Sequence, residues 1–184
     1  MGGSDTFRVS DYDDIKKQTG QFGGLHQRIH ETFERRSESR EAWAAWEQAC
    51  RDFHSYDSPM RFIETADGRT RLREGDPALV EHAIAFLELD PYVFRSGYAK
   101  AAIIRCIKRL PFTHAQLQRL QGVVLRALDK CDRQEFRAYC RLAAAVDSPA
   151  FDARIRERLD SSDAAVRRRA RYILDYLDDW RRSD

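Results

Sequence analysis

From Asp90 to Leu110 the chain reads DPYVFRSGYAKAAIIRCIKRL, the one long stretch whose apolar residues lie almost all the way round a helix. A helix that is apolar on every side must be wrapped by other elements, so this segment predicts a central buried helix. Asp90 reads as its N-cap, Pro91 as its first residue, Leu89 as the apolar staple against Phe94, and Pro111 as its stop. A charge at Ile103 or Ile104 is then expected to unfold the domain.

The segments on either side carry helix punctuation of the same kind. Thr113 and Gln116 form a capping box, with Phe112 and Leu117 as a staple. Asp76-Pro77 and Ser148-Pro149 each place a capping side chain before a proline at the first helical position. Asp132 with Glu135 reads as a further cap, with Cys131 set to meet Phe136, and Ser162 reads as the cap of the last helix. Leu25, Ile29 and Phe33 mark one helix face, and Trp43, Trp46, Cys50 and Phe53 mark another. Residues 1–24 carry few apolar side chains between glycines and read as a mobile arm. Residues 64–76, with Asp67-Gly68, read as an exposed loop or a small hairpin. The expected organisation is an arm at 1–24 and one all-helical domain at 25–184, with N-terminal helices at 25–60 and three helical hairpins at 77–180.

Composition narrows the class. The chain is 42% hydrophobic and 34% charged with 9 Gly and 5 Pro, too little punctuation for many strands and turns. No uncharged run approaches the roughly 18 to 20 residues of a membrane span. The opening MGGSDTFRVSDYDD has no apolar leader core, and the four cysteines show no CxxC pair, the usage of a reducing compartment; the expected location is cytoplasmic. The net charge of +2 divides unevenly, −6 through Asp90 and +8 after it. Of the basic residues 27 are Arg and 5 Lys, a skew that GC-rich coding alone would produce.

With Asp90, Asp132 and Ser162 as caps, the fourth helical position is Phe94, Phe136 and Val166, and the fifth is Arg95, Arg137 and Arg167. The pattern recurs at intervals of 42 and 30 residues. In the last copy, Asp163-Ala164-Ala165-Val166-Arg167 followed by Ala170, Leu174 and Leu177 resembles the D-x-x-V-R-x-x-A-x-x-x-L-x-x-L signature of HEAT-type helical repeats. The resemblance implies stacked antiparallel hairpins in a short right-handed solenoid, here with an N-terminal helical extension. It also implies a role in protein or nucleic-acid binding, and no catalytic residues.

Two sets of side chains are candidates for contact with a partner. Arg95, Arg137 and Arg167, with Lys100 and Arg141 nearby, would either line an anion-binding face or pair with aspartates of neighbouring hairpins as a ladder. Arg168, Arg169 and Arg171, on the outer side of the last helix, with Arg154 and Arg158 on the helix before, would form a basic patch able to meet phosphates. His26 and His30 share a helix face, but no third ligand stands at a completing spacing, and neither metal nor cofactor is expected. The expected function is a non-catalytic protein–protein interaction module, such as an adaptor, inhibitor or immunity-type protein. The alternative is a nucleic-acid-binding module using the basic second half.

Overall fold

The computed structural model describes residues 12–130 and 135–183. Among these the chain is all-α, with ten α-helices, one 3₁₀ turn and no strand. The helices are α1 (Tyr12–Arg35), α2 (Arg40–Ser55), α3 (Arg61–Glu64), α4 (Ala66–Arg73), α5 (Pro77–Leu89), α6 (Ser96–Ile107), α7 (His114–Lys130), α8 (Phe136–Ala145), α9 (Pro149–Arg156) and α10 (Ala164–Ser183).

Most helix starts follow the sequence punctuation. Thr113 N–H donates to Gln116 Oε1 at 3.0 Å and Gln116 N–H to Thr113 Oγ1 at 3.3 Å, a closed capping box. Asp76 accepts from the N–H groups of Ala78 and Leu79, and Ser148 from Phe151. Each bond satisfies a backbone donor that the first turn of a helix would otherwise leave open. In α10 the cap is Asp163 rather than Ser162: its carboxylate accepts from Ala165 N–H at 2.7 Å and its carbonyl from Arg167 N–H. The Asp132 cap and the Cys131 staple lie outside the described residues.

Three expectations are corrected. The arm assigned to 1–24 is helical from Tyr12, because Ile15, Thr19 and Phe22 continue one apolar stripe and are buried; residues 1–11 lie outside the described residues. The exposed loop assigned to 64–76 contains α4, capped by the Thr65 hydroxyl on Gly68 N–H, with Leu72 fully buried. Gly68 is a close-approach glycine inside that helix, since a Cβ there would sit 1.9 Å from the Phe62 carbonyl oxygen.

The third correction concerns the central helix, which starts at Ser96 and not at Pro91. Asp90 takes a left-handed conformation (φ 46°) and closes α5, Pro91 to Phe94 are non-helical, and Arg95 (φ 62°) stands before the first turn of α6. The three copies of the cap–apolar–arginine pattern therefore differ in structure: Phe94 lies in a loop, Phe136 is the first residue of α8, and Val166 is the third of α10.

The core is continuous from α1 to α10. Helices α5 and α7 pack side by side, and α6, α8 and α10 lie in order against them, α6 on α8 and α8 on α10. Ile103, Ile104 and Ile107 of α6 are shut off from solvent, each contributing roughly 2 kcal/mol of apolar transfer. Helices α3 and α4 cover the other flank of α6, and α1 docks on α5 with α2 laid along it. This order leaves α6 and α8 one solvent-facing arc each.

Candidate binding face on α6 and α8

The segment from Asp90 to Arg95 is bracketed by the two positive-φ non-glycine residues of the described chain. A left-handed conformation costs about 1–2 kcal/mol at a residue with a Cβ, and here its neighbours hold it in place. The ammonium of Lys100, fully buried, pairs with the Asp90 carboxylate. Ser96 Oγ accepts from Val93 N–H at 3.2 Å, and Ser96 N–H donates to the Val93 carbonyl at 3.0 Å. Phe94 stacks on His26 of α1, centroids 4.6 Å apart, and meets Phe53 of α2 edge-on at 5.9 Å. Gly23 of α1 faces the Val93 side chain.

The pinned segment presents aromatic surface to solvent. Tyr92 is 82% exposed, Tyr98 71% and Phe94 44%. They border an open groove of about 730 Å³ together with His26, Arg95 and Glu135. The Glu135 carboxylate lies against the first turn of α6, where a Cβ at Gly97 would come within 2.9 Å of its oxygen; a helix N-terminus favours negative charge there. Arg95 and Tyr98 also form one wall of a second opening, beside Glu64 and Arg69.

Helices α6 and α8 carry cations and no carboxylate. No Asp or Glu occurs between Asp90 and Asp129, and α8 has none. Arg95 and Arg105 around α6, and Arg137 and Arg141 on α8, are exposed and have no carboxylate partner among the described residues. Two arginines elsewhere show the contrast. Between α5 and α7, Arg119 bonds Glu88 at 2.7 Å and Glu81 at 2.6 Å, and these carboxylates raise its pKa. Arg181 joins Asp147 and Asp152, both at 2.9 Å. Among the described residues no three His, Cys, Asp or Glu side chains converge as a metal site. His26 and His30 meet as an edge-to-face ring pair at 4.7 Å. Burial pushes the Cys140 thiol up to about 12.

The structure distributes the sequence candidates unevenly. Arg95, Arg137 and Arg141 remain on the surface, as do Arg154, Arg168 and Arg171. Lys100 does not: it is a core residue committed to Asp90. Arg169 is likewise withdrawn from the outer face, 7% exposed, with Nε donating to the Leu128 carbonyl at 2.6 Å and an Nη to that of Asp129 at 3.2 Å. It closes the C-terminus of α7, where free carbonyls favour a cation. Arg158 pairs with Asp129. Arg167 donates to the carbonyls of Ser161 and Ser162 in its own turn, so the expected arginine–aspartate ladder does not form among the described residues.

Tyr92, Phe94 and Tyr98 escaped the sequence reading. The signal was present as three aromatics within seven residues, beside Arg95 and ahead of a long carboxylate-free stretch, but treating Pro91 as a helix start assigned Phe94 to the core. No helix among the described residues is long and apolar enough to cross a membrane. In comparisons with known proteins, no family model, no curated protein and no solved structure matches this chain.

Proposed function

We propose that this chain is a non-catalytic protein-interaction module, built of stacked hairpins of the HEAT type, whose partner docks on the outer face of α6 and α8. The observation that carries the reading is the pinned aromatic segment. Tyr92, Phe94 and Tyr98 surround an open groove on a backbone held by Lys100–Asp90, Ser96–Val93 and Phe94–His26. Tyrosine and arginine anchors dominate protein interfaces, and anchors fixed before binding lose little freedom on association. The order of packing supports the scaffold, with α5 on α7, α6 on α8 and α8 on α10, the neighbours that stacked hairpins require.

The groove supplies contact area rather than chemistry. Ser96 Oγ accepts from Val93 N–H and the His26 ring is stacked on Phe94, so both side chains serve to seat the aromatic segment. Nucleic acid is the weaker partner. The net charge is +2 and the pI about 8.4, below the roughly 9 or more typical of a nucleic-acid footprint. Of the C-terminal basic patch, Arg158 and Arg169 are already spent on internal bonds.

The test is affinity capture from the native host after nuclease treatment, with wild-type chain and with Y92S/Y98S. A stoichiometric protein retained by the first and lost by the second supports the reading. A partner retained equally by both removes it.

A further inference from the structure

We infer that the segment docking on this face is acidic, with carboxylates about 6 Å apart beside an aromatic or aliphatic anchor. The inference rests on the protein-binding reading above and adds the chemistry of the partner.

The argument is charge complementarity within a fixed layout. Helix α8 is buried against α6, α7 and α10, so its solvent-facing arc is narrow, and the side chains on it are Arg137 and Arg141. They stand one helical turn apart, a separation of about 6 Å between Cβ atoms. On the neighbouring α6, the corresponding arc carries Tyr98 and Arg105, with the half-buried Ala101 and Ala102 between them. Arg95 stands at the near end of that arc, on the groove wall. Neither helix carries an acid of its own. On α7, by contrast, Arg119 has its carboxylates within the chain, Glu81 and Glu88.

Arginine sets the ligand type. A guanidinium pairs a carboxylate through two parallel N–H bonds, a match that a lysine ammonium does not offer. Carboxylates at alternate residues of an extended segment lie about 6.6 Å apart, and those one turn apart on a helix about 6 Å; either meets Arg137 and Arg141 together. The groove bordered by Tyr92, Phe94 and Tyr98 then takes the anchor.

The experiment pans a random peptide display library on the full-length chain, discards clones that also bind Y92S/Y98S, and measures the remaining peptides against wild type and R137Q/R141Q. Both arginines are exposed and free of described carboxylate partners, so the variant keeps the fold. The expected result is a set rich in Asp and Glu next to an aromatic or aliphatic residue. Affinity should fall about tenfold or more in R137Q/R141Q and decline steeply with added salt. Groove-dependent peptides that are neutral or basic, and indifferent to R137Q/R141Q, would overturn the acidic assignment while leaving the protein-binding reading standing. No groove-dependent clone at all would count against both. An oligothymidine probe that outcompetes every selected peptide would overturn it in favour of nucleic acid.

Discussion

The ammonium of Lys100, shut off from solvent on α6, ion-pairs with the half-exposed carboxylate of Asp90, the left-handed residue that closes α5. The pair joins the end of α5 to the second turn of α6 and sets the path of the aromatic segment between them. Its two sides are unequal: without Asp90 a buried cation loses its counter-charge, whereas without Lys100 the carboxylate still reaches water. D90N keeps the shape and the tolerance for left-handed backbone, yet is expected to cost about 3 kcal/mol. K100M is expected to cost less, since the methionine fills the same space. Urea denaturation of both variants checks the ordering.

Gly68 sits where α4 crosses the end of α3, with room for hydrogen and nothing larger. Because the obstacle is the Phe62 carbonyl, a backbone atom, the helices must separate to admit a methyl group. G68A is expected to destabilise the chain by about 1–3 kcal/mol, although alanine is the better helix former. A gain in thermal midpoint would contradict this.

Adjacent arginines on α10 are expected to behave differently. Arg169 satisfies two carbonyls at the end of α7 from a buried position, so R169L strands those acceptors and is expected to cost about 1–3 kcal/mol. Arg168 is exposed, and R168Q is expected to change stability by less than about 0.5 kcal/mol. Thermal melts of the two variants make the comparison.

Acid is expected to weaken the fold through His26. Burial first, and then the charge of His30, lower its pKa below the ordinary 6.5. The unfolded chain therefore binds this proton more readily than the folded one. The contribution is fully present above about pH 6.5 and declines as pH falls through the window between the unfolded and folded values. His30 meets the ring edge-on, and Phe94 and Phe53 pack on it. The urea midpoint is expected to drop below pH 6.5 in wild type and to flatten there in H26Q.

What was legible in the sequence was local. The Thr113–Gln116 box, the Asp76 and Ser148 caps and the apolar periods of α5, α7 and α10 are decided by neighbours within a turn, and they fold as read. What escaped was decided at a distance. Asp90-Pro91 has the same local grammar as Asp76-Pro77, yet Asp90 ends a helix because Lys100, ten residues on, takes its carboxylate. Residues 12–24 looked too poor in apolar side chains for a helix. Yet Gly23 is helical and set against Val93, and the Thr19 hydroxyl is buried on the Ile15 carbonyl at 2.8 Å. Arg169 looked like its neighbours in a basic run, and only the end of α7 distinguishes it.

The most direct measurement is a titration of the nuclease-resistant partner captured from the host against wild type, Y92S/Y98S and the opposite-face variant E81Q/E88Q, with circular dichroism confirming equal helicity. The dissociation constant is expected to rise by about tenfold or more in Y92S/Y98S, as loss of two aromatic anchors requires, and to stay within about twofold in E81Q/E88Q. Unchanged affinity in Y92S/Y98S, or a loss confined to E81Q/E88Q, would contradict a docking face on α6 and α8.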